Sequence, residues 1–242
     1  MKSNGTAALF DEAAYETTFE ATVIDSRQDL VAFDRTLFYP AGGGQPGDTG
    51  FITYADGSRA RVVETRRDET DRLLIWHRLD GDVESLPTGK IAINGAVDWG
   101  VRYPNMRMHT CLHLLCSLID APVTGCSMGQ GKGRLDFDLP EMTMSKDEIA
   151  DSLNAMIARQ INVETRLMPP DQYDVALELV RNRYALPPRS AQFVKMIEVR
   201  GVDIQPCGGT HVRNTLEIGK IVCEKIDKKG RQNRRIVLRL IE

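Results

Sequence analysis

The 242-residue chain is short of the features that usually announce a class at once. No apolar run approaches the ~20 residues that span a bilayer, so a transmembrane helix is excluded. The amino-terminal MKSNGTAALFDEAAYE has no hydrophobic signal core ahead of its first acidic residues, and a cytoplasmic protein without membrane partners is expected. Cysteine occurs five times (Cys111, Cys116, Cys126, Cys207, Cys223), an odd set that favours reduced thiols or metal ligation over a disulfide framework. Internal repeats and low-complexity tracts are missing, which excludes solenoids and disordered linkers. Histidine occurs only four times, so any clustering of it carries information.

What is present is ordinary globular material, 42% hydrophobic and 27% charged. The length suits one large or two small domains, each able to bury a core. The net charge of −3 argues against a generic polyanion binder, yet it is unevenly placed. Residues 1–90 carry 10 Lys/Arg against 16 Asp/Glu. The last stretch reverses this, with Lys220, Lys225, Lys228, Lys229, Arg231, Arg234, Arg235 and Arg239 against Glu224, Asp227 and Glu242. A basic end on an acidic chain suits a phosphate-rich partner, and equally a solvated hairpin with long cationic side chains.

From Thr17 to about Val97 short alternating runs (TFEATVI, LVAF, GFITY, RARVVE, RLLIWHRL, KIAINGAV) are broken by turn signals, which predicts an antiparallel barrel or sandwich over residues 1–97. Beyond Trp99-Gly100 the texture changes. After Pro104-Asn105, Leu112, Leu115, Cys116 and Ile119 follow the spacing of an amphipathic helix, and Ser145 with Glu148 forms a capping box ahead of a second helix. A third helix is expected from Gln172 to Val180. Strands are expected at GRLDFDL, VETRLM, FVKMIEVR, KIVCEKI and RRIVLRL, which makes residues 98–242 an α+β domain.

The chemistry is concentrated in His109-Thr110-Cys111-Leu112-His113 and Cys207-Gly208-Gly209-Thr210-His211, which hold three of the four histidines. Helical i, i+4 spacing puts His109 and His113 on one face, and two glycines let Cys207 and His211 converge without a helix. One thiolate and three imidazoles match tetrahedral zinc, one ion per chain. The glutamate of an HExxH peptidase is absent, because Thr110, Cys111 and Leu112 separate the histidines. A Cys207–His211 nucleophilic dyad and a purely structural zinc remain open at this point. The Gly42-Gly43-Gly44-Gln45-Pro46-Gly47-Asp48 loop is not a Walker loop. Its consecutive glycines permit close approach of a ligand and Gln45 can donate and accept hydrogen bonds, although a wide turn between strands is an equal reading of glycine alone.

Taken together, HTCLHLL with Asp98 and Arg102 upstream, the distant PCGGTHV, the YPAGGGQPGDTG loop and the GRQNRRIVLRL ending resemble the alanyl-tRNA editing proteins. These are free-standing relatives of the alanyl-tRNA synthetase editing domain. The resemblance runs from about Phe38 to Leu240 and suits the medium-length type. It implies a β-barrel-like domain followed by a zinc-containing editing domain related to the second additional domain of threonyl- and alanyl-tRNA synthetases. The implied activity is hydrolysis of the ester of tRNA(Ala) mischarged with serine or glycine. The implied zinc ligands are His109, His113, Cys207 and His211, with Gly43, Gly44, Gln45 and Thr124 on the substrate.

Phosphate contacts are expected from Lys225, Lys228, Lys229, Arg231, Arg234 and Arg235. No general base is identifiable from the residues, and the terminal hydroxyl of the tRNA is a candidate for that role. Cys111 and Cys116 are expected to pack within the helix. Two other functions stay open: a zinc-stabilised tRNA-binding module without hydrolysis, and an editing hydrolase for another mischarged tRNA.

Overall fold

Apolar side chains recur at every second position in the first half of the chain, and the computed structural model, which describes residues 5–81, 91–180 and 193–241, closes these segments into a barrel. The strands are β1 (Ala7–Ala8), β2 (Thr18–Arg27), β3 (Leu30–Phe33), β4 (Arg35–Thr36), β5 (Gly50–Tyr54), β6 (Arg59–Arg67), β7 (Ile75–Asp80) and β8 (Ala92–Val97). Six of them form the antiparallel ring β2-β3-β7-β6-β5-β8, while β1 and β4 pair in parallel beside it. Along β2, Phe19, Ala21 and Val23 point inward and meet Val31, Phe33 and Ile52. This is the period-2 signature of a sheet with one buried face. Lys90 of the expected KIAINGAV strand lies outside the described residues.

Buried polar side chains in this first unit include a histidine and an ion pair. His77 on β7 is fully buried, with Nδ1 donating to the Val31 carbonyl at 3.2 Å and Nε2 accepting from the Thr36 hydroxyl at 2.9 Å. Arg102 and Asp48 form a fully buried ion pair, in which Arg102 Nε donates to Asp48 Oδ2 at 2.8 Å. Arg102 also donates to the carbonyls of Ala14 and Leu37, and Asp48 Oδ2 accepts the Tyr39 N–H at 2.6 Å. Burial pushes the Asp48 carboxyl upward despite Arg102. A pair this desolvated adds little stability in itself and serves better to fix one geometry, here the base of the glycine-rich loop.

The remaining elements are α1 (Trp99–Leu118), β9 (Val123–Gly129), β10 (Lys132–Asp138), α2 (Lys146–Ala158), β11 (Val163–Met168), α3 (Tyr173–Glu178), β12 (Val194–Val199), β13 (Asp203–Pro206), β14 (Ile221–Lys228) and β15 (Asn233–Leu240). They make a four-stranded sheet β14-β15-β10-β9 and a three-stranded sheet β11-β12-β13, both antiparallel. Gly133 of β10 brings its backbone against α1, where a Cβ would lie 2.6 Å from Met108. Helix α2 carries the expected capping box of Ser145 and Glu148 and buries Ile149, Leu153 and Ile157. By contacts the chain divides into two compact units, residues up to Gly42 with Pro46–Arg102, and Gly43–Gln45 with everything from Tyr103 onward. The division falls inside α1, not at the expected 97/98 boundary, and three loop residues belong to the second unit. Among the described residues no helix is long and apolar enough to cross a membrane.

Helix α1 departs from expectation in two ways. It starts at Trp99, seven residues before the predicted periodic run, because Asp98 caps it: the carboxylate accepts the Gly100 N–H at 3.0 Å and the carbonyl accepts Arg102 N–H at 2.9 Å. Pro104 lies within it at the loss of one backbone bond. From Met108 to Cys116 the helix is buried on every side, so it is a central helix and not an amphipathic surface one. Strand β13 escaped prediction because its polarity is inverted: Asp203 and Gln205 are buried while Ile204 is exposed.

Burial lowers the pKa of His77 to about 3, so the folded barrel holds it neutral. Between pH 3 and the ordinary value near 6.5 the unfolded chain binds a proton that the folded chain does not, and stability falls as pH falls, by about 1.4 kcal/mol per pH unit from this group. Urea titrations between pH 7 and 4 are expected to reveal this slope, and His77→Gln to flatten it.

Candidate metal centre

Four side chains from two separate places in the chain converge. His109 and His113 stand one turn apart on α1, and Cys207 and His211 lie in the loop that follows β13. One donor atom from each can be chosen so that all lie within 4.8 Å of one another. Cys207 Sγ is 3.4 Å from His109 Nε2 and 3.3 Å from His211 Nε2. A zinc ion with Zn–N near 2.0–2.1 Å and Zn–S near 2.3 Å in tetrahedral geometry requires N···S edges of roughly 3.6 Å. The observed spacings are a little contracted from that, and the N3S donor set fits the ion.

Each imidazole has its other nitrogen engaged. His109 Nδ1 donates to Gln45 Oε1 at 2.9 Å and His113 Nδ1 to Asp203 Oδ2 at 3.1 Å. His211 Nδ1 lies 3.1 Å from the Thr110 hydroxyl. That hydroxyl gives its only proton to the Met106 carbonyl and accepts the Val212 N–H, so His211 is the donor. With Nδ1 of each ring turned outward to its partner, Nε2 is the nitrogen that faces the cluster, the arrangement that ligation requires. Gln205 steadies Asp203 with a 2.8 Å hydrogen bond.

The electrostatics suit a thiolate. Burial raises the Cys207 thiol, but the charges of His109 and His211 and hydrogen bonds from His109 and His113 hold it well below the ordinary range. Burial also disfavours charge on His113, yet the hydrogen bonds of Asp203 and Cys207 prevail and raise its pKa to about 9. His211 is driven well below its usual value by burial and by the neighbouring His109. Cys111 and Cys126 behave oppositely: burial pushes each up to about 12, so they remain protonated. Cys111 packs inside α1, as expected, and Cys116 is buried beside it. The metal question thus concerns one thiol.

The two glycines of the Cys207–His211 loop differ. At Gly209 a Cβ would lie 2.1 Å from His109 Cε1 and 2.9 Å from Gln45 Oε1. At Gly208, which is exposed, it would meet nothing within 4 Å. Of the proposed substrate residues, Gly43 is exposed and open, Gly44 abuts Cys126, and Gln45 is 2% exposed. Gln45 Oε1 accepts from His109 and from Thr210 N–H, and Nε2 donates to Thr210 Oγ1. The side chain expected on the substrate thus makes its hydrogen bonds to His109 and Thr210.

Thr124, a bulged residue of β9, gives its proton to the Asp136 carbonyl and accepts from Asn233 Nδ2 at 2.7 Å. Among the basic residues, Lys225, Lys228, Lys229 and Arg231 are exposed. Arg234 is buried and bonded to the carbonyls of Gly230, Asn233 and Pro140, and Arg235 is held bidentately by Asp136. Two of the three arginines expected to meet phosphate therefore make their hydrogen bonds within the protein. Asp203, Gln205 and Thr110 went unnoticed in the sequence, since a short polar strand and a helical threonine carry no motif. A cavity of about 610 Å³ lies behind Asp203, lined also by Asp120, Glu178, Glu198 and Val202, and none of the four converging residues lines it.

Residues 194–237 match the family described as the threonyl and alanyl tRNA synthetase second additional domain, and residues 4–101 match tRNA synthetases class II (A). The chain is 35% identical to the alanyl-tRNA editing protein AlaX-M of Methanosarcina barkeri, over 98% of this chain and 100% of that one. It is 31% identical to AlaX-M of Saccharolobus solfataricus, over 96% and 97%. Similarity extends to the alanine–tRNA ligase of Sulfurisphaera tokodaii, 32% identical over 92% of this chain and 25% of the ligase.

The contrast between the two glycines yields a direct test. Gly209→Ala is expected to push His109 out of register and lose most of the bound metal. Gly208→Ala is expected to keep it, with metal content of both purified variants read by atomic emission.

Proposed function

The chain belongs to the alanyl-tRNA editing protein family, and on that premise we propose that it hydrolyses the ester of tRNA(Ala) mischarged with serine or glycine while sparing alanyl-tRNA(Ala). The observation that carries this reading is the buried cluster of His109, His113, Cys207 and His211, with every imidazole Nδ1 claimed by a separate partner. Such preorganisation has no purpose in a surface loop and suits one zinc ion per chain. When bound, zinc supplies a positive charge that can polarise the ester carbonyl or anchor the substrate's amino group. The four side chains hold that charge in place, and no carboxylate stands in the motif to serve as base. Asp203, the nearest acid in the network, is committed to His113 and Gln205. The proton of the attacking water is therefore assigned to the neighbouring terminal ribose hydroxyl of the tRNA, which passes its own proton to the departing ester oxygen, so that the free amino acid and the ribose diol result.

Discrimination falls to Thr124. With its proton given to Asp136 O and one lone pair to Asn233, it keeps one acceptor site, which suits a seryl hydroxyl as donor. Alanine leaves that acceptor unpaired, and sites that read a hydroxyl reject the analogue lacking it far better than a methyl-sized difference allows. The tRNA backbone is assigned to Lys225, Lys228, Lys229 and Arg231, which stand at and around the exposed β14–β15 turn.

Purified protein is expected to release serine from Ser-tRNA(Ala) rapidly and to leave Ala-tRNA(Ala) intact, and His113→Ala to lose both zinc and activity. Thr124→Val should slow serine release roughly tenfold, the value of one hydrogen bond. Bound zinc and bound tRNA without ester cleavage would sink the reading. Neutralising Lys228, Lys229 and Arg231 together is expected to weaken tRNA binding and reduce its logarithmic salt slope by about 2–3. Arg234→Ala, by contrast, is expected to lower thermal stability.

A further inference from the structure

We propose that Gln45 is a positioning residue for the metal site, and that the glycine-rich loop exists to deliver it to His109. The inference rests on the zinc assignment above and reassigns a loop that its composition alone would place on the substrate. Gln45 is buried, and both acceptor sites of its carbonyl are used: one by His109 Nδ1–H at 2.9 Å, the other by Thr210 N–H at 3.1 Å. Its amide donates to Thr210 Oγ1 at 2.8 Å. A single side chain thus ties the ligand on α1 to the loop bearing Cys207 and His211, from a segment distant from both in sequence.

The glycines account for how the segment arrives. Gly43 and Gly44 adopt positive φ of 59° and 86°, and Gly44 lies so close to β9 that a Cβ would sit 2.7 Å from Cys126 O and Sγ. The Gly44 carbonyl accepts the Met128 N–H at 2.9 Å, which docks the loop on that strand. Three residues after Gln45, Asp48 is locked by Tyr39 and by Arg102, the latter two helical turns before His109 on α1. The loop is consequently held at both sides of Gln45, and the helix that supplies Arg102 also supplies the ring that Gln45 orients. Outer partners of metal-bound histidines fix ring orientation, and their loss typically reduces metal affinity about 10–100-fold.

The test uses the full chain without tRNA, so that it does not depend on catalysis. Zinc transfer to a colorimetric chelator and the visible spectrum of the cobalt-substituted protein would be measured for wild type, Gln45→Met, Gln45→Glu and Gly44→Ala. Gln45→Met matches the volume and lacks the hydrogen bonds. It is expected to surrender zinc about 10–100-fold more readily and to shift the cobalt bands. Gln45→Glu keeps the acceptor oxygen and is expected to restore retention, while Gly44→Ala, which leaves Gln45 chemically intact but lifts the loop, is expected to behave like Gln45→Met. Thermal unfolding of each variant separates a local loosening from general misfolding. Wild-type zinc retention and an unchanged cobalt spectrum in Gln45→Met, with turnover alone lost, would return Gln45 to the substrate and overturn the proposal. A Gln45→Glu variant as labile as Gln45→Met, or a wild-type chain that binds no metal, would overturn it as well. A wild type that holds zinc yet cleaves no ester would defeat the editing function and leave the positioning role standing.

Discussion

Three imidazoles buried beside one thiolate impose a demand that organises the second unit: each ring nitrogen turned away from the cluster needs a partner, because a buried unsatisfied donor costs on the order of 1–3 kcal/mol. The demand is met three times with three chemistries. A carboxamide from the glycine-rich loop serves His109, a carboxylate from β13 serves His113, and a helical hydroxyl serves His211. These contacts recruit segments that share no local structure. They also explain why β13 turns polar residues inward, why a threonine sits in the middle of the most buried helix, and why Gly209 has no room for a side chain.

The first unit follows the same logic of satisfied burial with other means. Its histidine is kept neutral between the Val31 carbonyl and the Thr36 hydroxyl. Its fully buried ion pair, Arg102 with Asp48, is surrounded by further donors and acceptors that hold the guanidinium and carboxylate in a single arrangement. Charge that looks available in the chain can be consumed in this way. The β14–β15 hairpin is basic by composition, yet Arg234 and Arg235 are turned to carbonyls and to Asp136, which leaves the cationic surface to residues at and near the turn.

Much of this was legible beforehand. Alternating runs announced the barrel strands, the capping box of Ser145 and Glu148 announced α2, and the spacing of His109, His113, Cys207 and His211 announced a donor set. These features are local or nearly so: a strand period, a helical turn and a tight loop are short-range consequences of residue type. Asp203, Gln205 and Thr110 were not legible, because a residue that supports a ligand is defined by where it lands and by no spacing of its own. The early start of α1 was hidden by Pro104, whose usual meaning as a helix breaker was outweighed by the Asp98 cap.

The sequence by itself determined which atoms could bind a metal and which segments would be strands or helices, since donor chemistry and side-chain periodicity are properties of the residues. Only the tertiary structure decided that the four donors meet, that Gln45 bonds to His109, and that two of the six expected phosphate-binding cations make hydrogen bonds within the chain. Those outcomes depend on contacts between residues as far apart as Gln45 and Thr210. Such long-range contacts are set by packing of the whole chain, which no stretch of sequence encodes alone.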